Sequence, residues 1–205
     1  MLAEEVAEYA KKKGAELVGF ADSREALKYF RKSWARSAVV LGISIRHPLL
    51  ATGVRYPSWD EPRQFIDVIM DAIALSVEEF LRERGHLAMA IGASNRSVDL
   101  RRLVVASGLG VEGRNRLIVT PEFGPRVRFS AVVTDAEFAA SRRELQNLCR
   151  GCRICMDACP SGALNGGFNI RACERYNQKL EKDSGLLVKK CTLCTDVCPV
   201  GRRWE

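Results

Sequence analysis

A layered α/β domain followed by a small cysteine-rich domain is the architecture that this sequence predicts. Two observations carry it. Helical and strand-like patterns alternate up to about residue 135, as they do in a layered α/β unit. All eight cysteines then lie within residues 149–205, and the first 148 residues contain none. The boundary is placed between 145 and 146, giving units of 1–145 and 146–205. A chain of 205 residues is long enough to bury roughly 70% of its unfolded surface.

The elements follow in order. Leu2–Lys13 reads as a helix, with Val6, Tyr9 and Ala10 at helical spacing and Gly14 as its stop. Leu17–Ala21 is a short apolar strand. Ser23–Lys32 is a second helix, capped by Asp22 or Ser23. Ser37–Ile45 is β-branched and nearly continuous, as a strand buried on both faces should be. Arg46–Glu61 is a long loop holding His47, Tyr56 and Trp59; loops of that length are often functional. Pro62 opens a helix to Arg84 whose expected apolar stripe is Phe65, Ile69, Ile73, Val77 and Phe80. His86–Ala93 returns as a strand and Val98–Ser107 as a helix. Leu117–Val119 and Arg126–Val133 are strands around a Pro121–Pro125 turn, and Ala136–Leu148 links or docks the cysteine-rich part.

Composition excludes several classes. The chain is 47% hydrophobic and 28% charged, and it has no apolar run of the roughly 18 residues that a membrane span needs. Its start, Met1-Leu2-Ala3-Glu4-Glu5, is acidic and unlike a secretory signal. A cytoplasmic protein with no membrane partner is expected. The net charge of +7 suggests nucleic acid, but two iron–sulfur clusters on eight thiolates add about −4. Nucleic acid is therefore not an expected partner.

Cytosolic thiols stay reduced, so clustered cysteines point to metal rather than to disulfides. Cys149, Cys152, Cys155 and Cys159, followed by Pro160, form C-x2-C-x2-C-x3-C-P. That is the run of bacterial ferredoxins, in which three thiolates hold one [4Fe–4S] cube and the fourth ligates another. Cys191, Cys194 and Cys198, followed by Pro199, repeat the x2 and x3 steps, with Val188 where the leading cysteine would stand. Cys173 is the one cysteine left over. If it replaces the missing ligand, the ferredoxin crossover gives Cys149, Cys152, Cys155 and Cys198 to one cube. Cys159, Cys173, Cys191 and Cys194 go to the other. Zinc is the competing reading, but zinc sites pair C-x2-C knuckles rather than three successive cysteines.

Gly108-Leu109-Gly110-Val111-Glu112-Gly113 matches the dinucleotide fingerprint G-x-G-x-x-G. A true fingerprint follows a strand and opens a helix, whereas this one follows a helix and leads into a strand. A nicotinamide or flavin dinucleotide is not expected.

The stretch Gly108–Asp135, GLGVEGRNRLIVTPEFGPRVRFSAVVTD, resembles the glycine-rich core of the cobalamin-dependent reductases, the superfamily of epoxyqueuosine reductases and reductive dehalogenases. PEFGPRVR at Pro121–Arg128 leans to the dehalogenase branch. GAELVGFA at Gly14–Ala21 and GHLAMAIGAS at Gly85–Ser94 also resemble that family, as does an α/β domain followed by eight cysteines. The resemblance implies a nitroreductase-like fold with cobalamin between it and a ferredoxin-like two-cluster domain. It implies that Gly108, Gly110, Gly113, Asn115, Glu122 and Gly124 fall in the part that builds the cobalamin pocket. Read on their own, the same glycines only shape two turns. One departure is plain: the general-acid aspartate of the epoxyqueuosine reductases falls on Ser94 here, so no catalytic residue is assigned.

Two functions follow, with an RNA-binding iron–sulfur protein, resting on the basic charge alone, as a weaker third. The expected one is an iron–sulfur redox protein that takes electrons from a low-potential donor and passes them to an acceptor protein or a bound corrinoid. The alternative is a compact cobalamin-dependent reductase with its own substrate site.

Overall fold

The structure, a computed structural model, describes residues 1–22, 32–45, 60–95, 98–141, 145, 147–184 and 191–201. Helix α1 (Leu2–Lys12) leads to strands β1 (Leu17–Asp22) and β2 (Ser37–Ser44). Helix α2 (Asp60–Arg82), strand β3 (Ala88–Ile91) and helix α3 (Leu100–Ala106) follow. A short hairpin, β4 (Val111–Glu112) with β5 (Ile118–Val119), precedes β6 (Val127–Thr134).

The main sheet has the order β1-β2-β6-β3, with every neighbouring pair antiparallel. Strands β2 and β3 are thus mutually parallel, joined through α2, with β6 inserted between them: a split β-α-β unit. All eight residues of β2 are buried. Val39, Leu41 and Ile43 pack under α1 and α2, whereas Ala38 and Val40 pack on the α3 side. The alternation along a strand feeds both layers, which is why the run is apolar throughout. The result is a three-layer sandwich.

Two expectations change. Helix α2 begins at Asp60 rather than Pro62, and its buried face is Ile66, Met70, Ile73, Ala74, Val77, Phe80 and Leu81, so Ile73, Val77 and Phe80 of the expected stripe are buried. Phe65 is 59% exposed, because the core-facing steps of four and three residues start one position later than the expected stripe. In addition, Val111–Glu112 forms a strand where only a glycine-rich turn was expected. The second expected helix, from Ser23, and the loop holding His47, Tyr56 and Trp59 fall outside the described residues. His86 lies two residues before β3, its Nδ1 3.1 Å from Asp135 Oδ1.

The link after β6 docks on the sheet. Phe138 stacks near Phe20, with centroids 4.8 Å apart. Ser141 accepts from the Phe20 N–H at 3.1 Å and donates its own N–H back at 2.9 Å. The remainder is helical among the described residues: α4 (Ile154–Asp157), α5 (Ile170–Ser184) and α6 (Leu193–Asp196). Among the described residues, no helix is long and apolar enough to cross a membrane.

Candidate metal centre

The two cysteine runs fold alike. Single-turn helices α4 and α6 pack against each other, and each carries the next-to-last cysteine of its run, Cys155 or Cys194. The residue before each turn has nearly the same backbone, Arg153 at φ −124°, ψ 0° and Thr192 at φ −112°, ψ 2°. After each turn the chain reaches a Cys-Pro step, Cys159-Pro160 or Cys198-Pro199. The spacing therefore produces two copies of one local structure, facing each other.

The thiols gather into two sets. Cys149, Cys152, Cys155 and Cys198 line one small cavity of about 20 Å3, closed by Arg114, Asn115 and Val119. Cys159, Cys173, Cys191 and Cys194 line a second space of about 500 Å3. Its opposite wall is Asn115, Leu117 and Pro125–Arg128 of the α/β part, so the second set faces by far the larger space. We call the first set outer and the second inner.

All eight cysteines are free thiols. Among the described residues, no three His, Cys, Asp or Glu side chains are grouped to hold a single metal ion. A zinc ion draws its sulfurs to about 2.3 Å from one point, whereas a four-iron cube holds its thiolates at separate corners. The donor set, four thiols to each space, fits cubes.

Electrostatics within each set favour a cationic core. Burial raises the Cys155 thiol, and the neighbouring Cys149, Cys198 and Cys152 add to the shift. Burial likewise raises Cys173, helped by Cys191 and Cys159, and pushes Cys194 up to about 11. Cys198 is raised by burial, against the opposing pull of the Val200 backbone and Arg126. Cys159 is the exception. Burial opposes its thiolate, but the Ser161 side chain and the backbone N–H groups of Leu164, Ser161 and Ala163 outweigh it and hold this thiol below its ordinary value.

Several supporting residues escaped the sequence reading. Asn177, one turn after Cys173 on α5, donates to Cys173 Sγ at 3.7 Å and accepts from the Cys191 N–H at 2.7 Å. Arg126 is buried and donates to carbonyls of the second run. Asp67 of α2 takes a two-point ion pair from Arg128, with both contacts at 2.7 Å. Helical spacing of Ile170, Cys173, Tyr176 and Leu180 was a usable signal for α5. For Arg126 no sequence signal existed.

Of the six expected pocket residues, only Asn115 lines the cleft. Its amide donates to the Cys194 carbonyl at 3.3 Å, and its Oδ1 accepts from the Leu117 N–H. Gly108, at φ 69°, terminates α3. Gly110 and Gly113 back onto Ile118 and Val119 of β5, where a Cβ would have no room. Glu122 is half-buried in the turn before β6. Gly124 lies against Val200 and Gly201, so neither glycine could carry a side chain without parting the two segments. Ser94 donates to Asp67 at 2.5 Å and is not a cleft residue.

Residues 145–165 match the model of a 4Fe-4S binding domain. A tetrachloroethene reductive dehalogenase of Desulfitobacterium hafniense is 36% identical over 99 residues, 47% of this chain and 18% of that protein. Epoxyqueuosine reductase of Bacillus subtilis (strain 168) is 27% identical over 212 residues, 84% of this chain and 54% of the relative. The chain's relatives are epoxyqueuosine reductases and reductive dehalogenases. It spans at most about half the length of these two over the matched stretches. The fold agrees: a reductive dehalogenase structure concerned with B12-dependent dehalogenation superposes with TM-score 0.80 at 20% identity, covering 98% of this chain and 32% of that one. An epoxyqueuosine reductase solved with an epoxyqueuosine-modified tRNA stem loop gives 0.72 at 22% identity, covering 100% and 66%.

Proposed function

We propose that the chain passes electrons through two [4Fe–4S] clusters to a corrinoid seated in the cleft between residues 1–145 and 146–205. Cys149, Cys152, Cys155 and Cys198 hold the outer cluster of this ferredoxin-like unit. Cys159, Cys173, Cys191 and Cys194 hold the inner one. One observation carries the reading: the inner four thiols and the Pro125–Arg128 wall enclose the same space of about 500 Å3, within the range of ordinary ligand sites. A bound corrinoid would supply a cobalt centre that accepts electrons and hands them to a substrate.

The chain's own residues prepare that cleft. Ile45, Ile66 and Val127 give it apolar walls that exclude water. Asp67 fixes the Arg128 guanidinium at one edge, and Asn115 joins the β4–β5 hairpin to the inner ligand loop. The hydrogen bonds to Cys159 and Cys173 act on inner-cluster thiolates, where such bonds tune the potential. Free thiols for both clusters suit a cytoplasmic setting.

A second reading has support of its own. Asp196 is the only carboxylate among the described residues lining the cleft, and it already accepts from Thr192 at 2.6 Å. A cleft whose one carboxylate among the described residues is already hydrogen-bonded suits delivery of electrons to a partner. Because one structural neighbour carries a tRNA stem loop, RNA belongs among the substrates to test.

Anaerobic reconstitution with iron, sulfide and cobalamin, followed by gel filtration, decides between these. We expect about eight irons and eight sulfides per chain, with corrinoid bands co-eluting. Cluster absorption alone would leave the electron carrier; zinc without sulfide would overturn both.

A further inference from the structure

We infer that Arg126 sets the reduction potential of the outer cluster and locks the cysteine-rich unit onto the α/β unit, a role that rests on the two-cluster reading above. The side chain enters from the residue before β6 and is only 5% exposed. Its Nη1 donates to the carbonyls of Thr195 at 3.0 Å and Cys198 at 3.1 Å, and its Nη2 donates to the Val200 carbonyl. These three carbonyls lie on the segment leading from inner Cys194 through outer Cys198 to the Cys-Pro step. One guanidinium from the α/β unit thus grips the strip of chain that joins the two thiol sets.

Two consequences follow from the chemistry. Arginine remains charged at any ordinary pH. Reducing a four-iron cube by one electron adds one negative charge, and a fixed cation in a poorly screened interior favours that form. Arg126 reaches the outer set through the main chain of Cys198, to whose carbonyl it donates, and it also stands in the wall of the inner space. The outer cluster is thereby kept easier to reduce. Separately, three carbonyls in a fork require the planar, multi-donor guanidinium. A lysine brings the charge but not the fork.

The test uses the anaerobic holo-protein and dithionite as the one-electron source, with midpoints read by electron paramagnetic resonance. The outer cluster is the signal that survives Cys173→Ser. Arg126→Gln is expected to shift the outer midpoint negative, and the inner midpoint with it because Arg126 also lines that space. Arg126→Lys is expected to hold the outer midpoint while lowering the unfolding temperature. If Arg126→Gln loses iron, Arg126→Lys carries the test: a held midpoint with a lowered unfolding temperature supports the role, and an unchanged unfolding temperature overturns it. Full iron with both midpoints unmoved in Arg126→Gln overturns the assignment of Arg126 alone. Fewer than about eight irons in the unsubstituted protein overturns the two-cluster reading instead.

Discussion

The main-chain N–H of Cys191 donates to the side-chain oxygen of Asn177 at 2.7 Å. Through its amide nitrogen the same asparagine reaches Cys173 Sγ, so one side chain ties the orphan cysteine on α5 to the start of the second run. Replacing it with leucine removes both bonds, at about 1 kcal/mol each, and strips an N–H···S contact from the inner cluster. Asn177→Leu should shift the inner midpoint negative, with the outer midpoint unchanged, in a potentiometric titration. Equal midpoints in variant and parent would refute the link.

Cys173→Ser should cost about half the iron, because the proposed assignment gives four of the eight thiols to each cube. The outer set contains no residue of α5, so its signal should persist. Iron analysis and spin quantitation of the same sample check this. Full iron retention would show that Cys173 is not a ligand.

The Asp67–Arg128 pair joins α2 to β6 at the cleft, with side chains 15% and 18% exposed. Removing one partner of such a pair leaves the other charge poorly solvated. Asp67→Ala should therefore destabilise the fold by about 2–3 kcal/mol, somewhat less than a fully buried pair. Anaerobic urea unfolding measures it, and a change below about 0.5 kcal/mol would place this pair with ordinary surface bridges.

Leu117 stands in the cleft wall and is 39% exposed. Leu117→Trp should fill the space without touching a thiol. Cobalamin co-elution should fall at least tenfold while iron and cluster absorption hold. Undiminished corrinoid retention would place the cofactor elsewhere.

How much of this was legible depends on the physics of each signal. Cysteine spacing is short-range and stereochemical, and the four thiols expected together do line common cavities. Strand β2 was readable because burial on both faces leaves nothing polar to dilute the run. The face of α2 was legible at Ile73, Val77 and Phe80 but not at Phe65, because apolar residues such as Val68 and Leu75 are exposed beside the true stripe and blur its start. The glycines had two readings, a cofactor pocket by resemblance and two turns on their own, and the structure backs Gly110 and Gly113 onto Ile118 and Val119 of β5. Arg126 was invisible, since its partners are main-chain carbonyls some seventy positions later, and a carbonyl leaves no trace in a residue pattern.

The exchange of the last cysteine between the two runs has a consequence for biogenesis. Cys149, Cys152 and Cys155 lie close in sequence, but the fourth thiol of their cavity belongs to Cys198. During synthesis the first three must remain an incomplete site while the whole of α5 is made. Closing the loop from Cys155 to Cys198 costs chain entropy that grows only slowly with length, so this delay is one of timing more than of energy. The inner set waits as well, for Cys191 and Cys194. On the proposed assignment, iron delivered early meets three thiols and an open corner, and the outer cluster cannot be finished before every ligand of the inner one has been made.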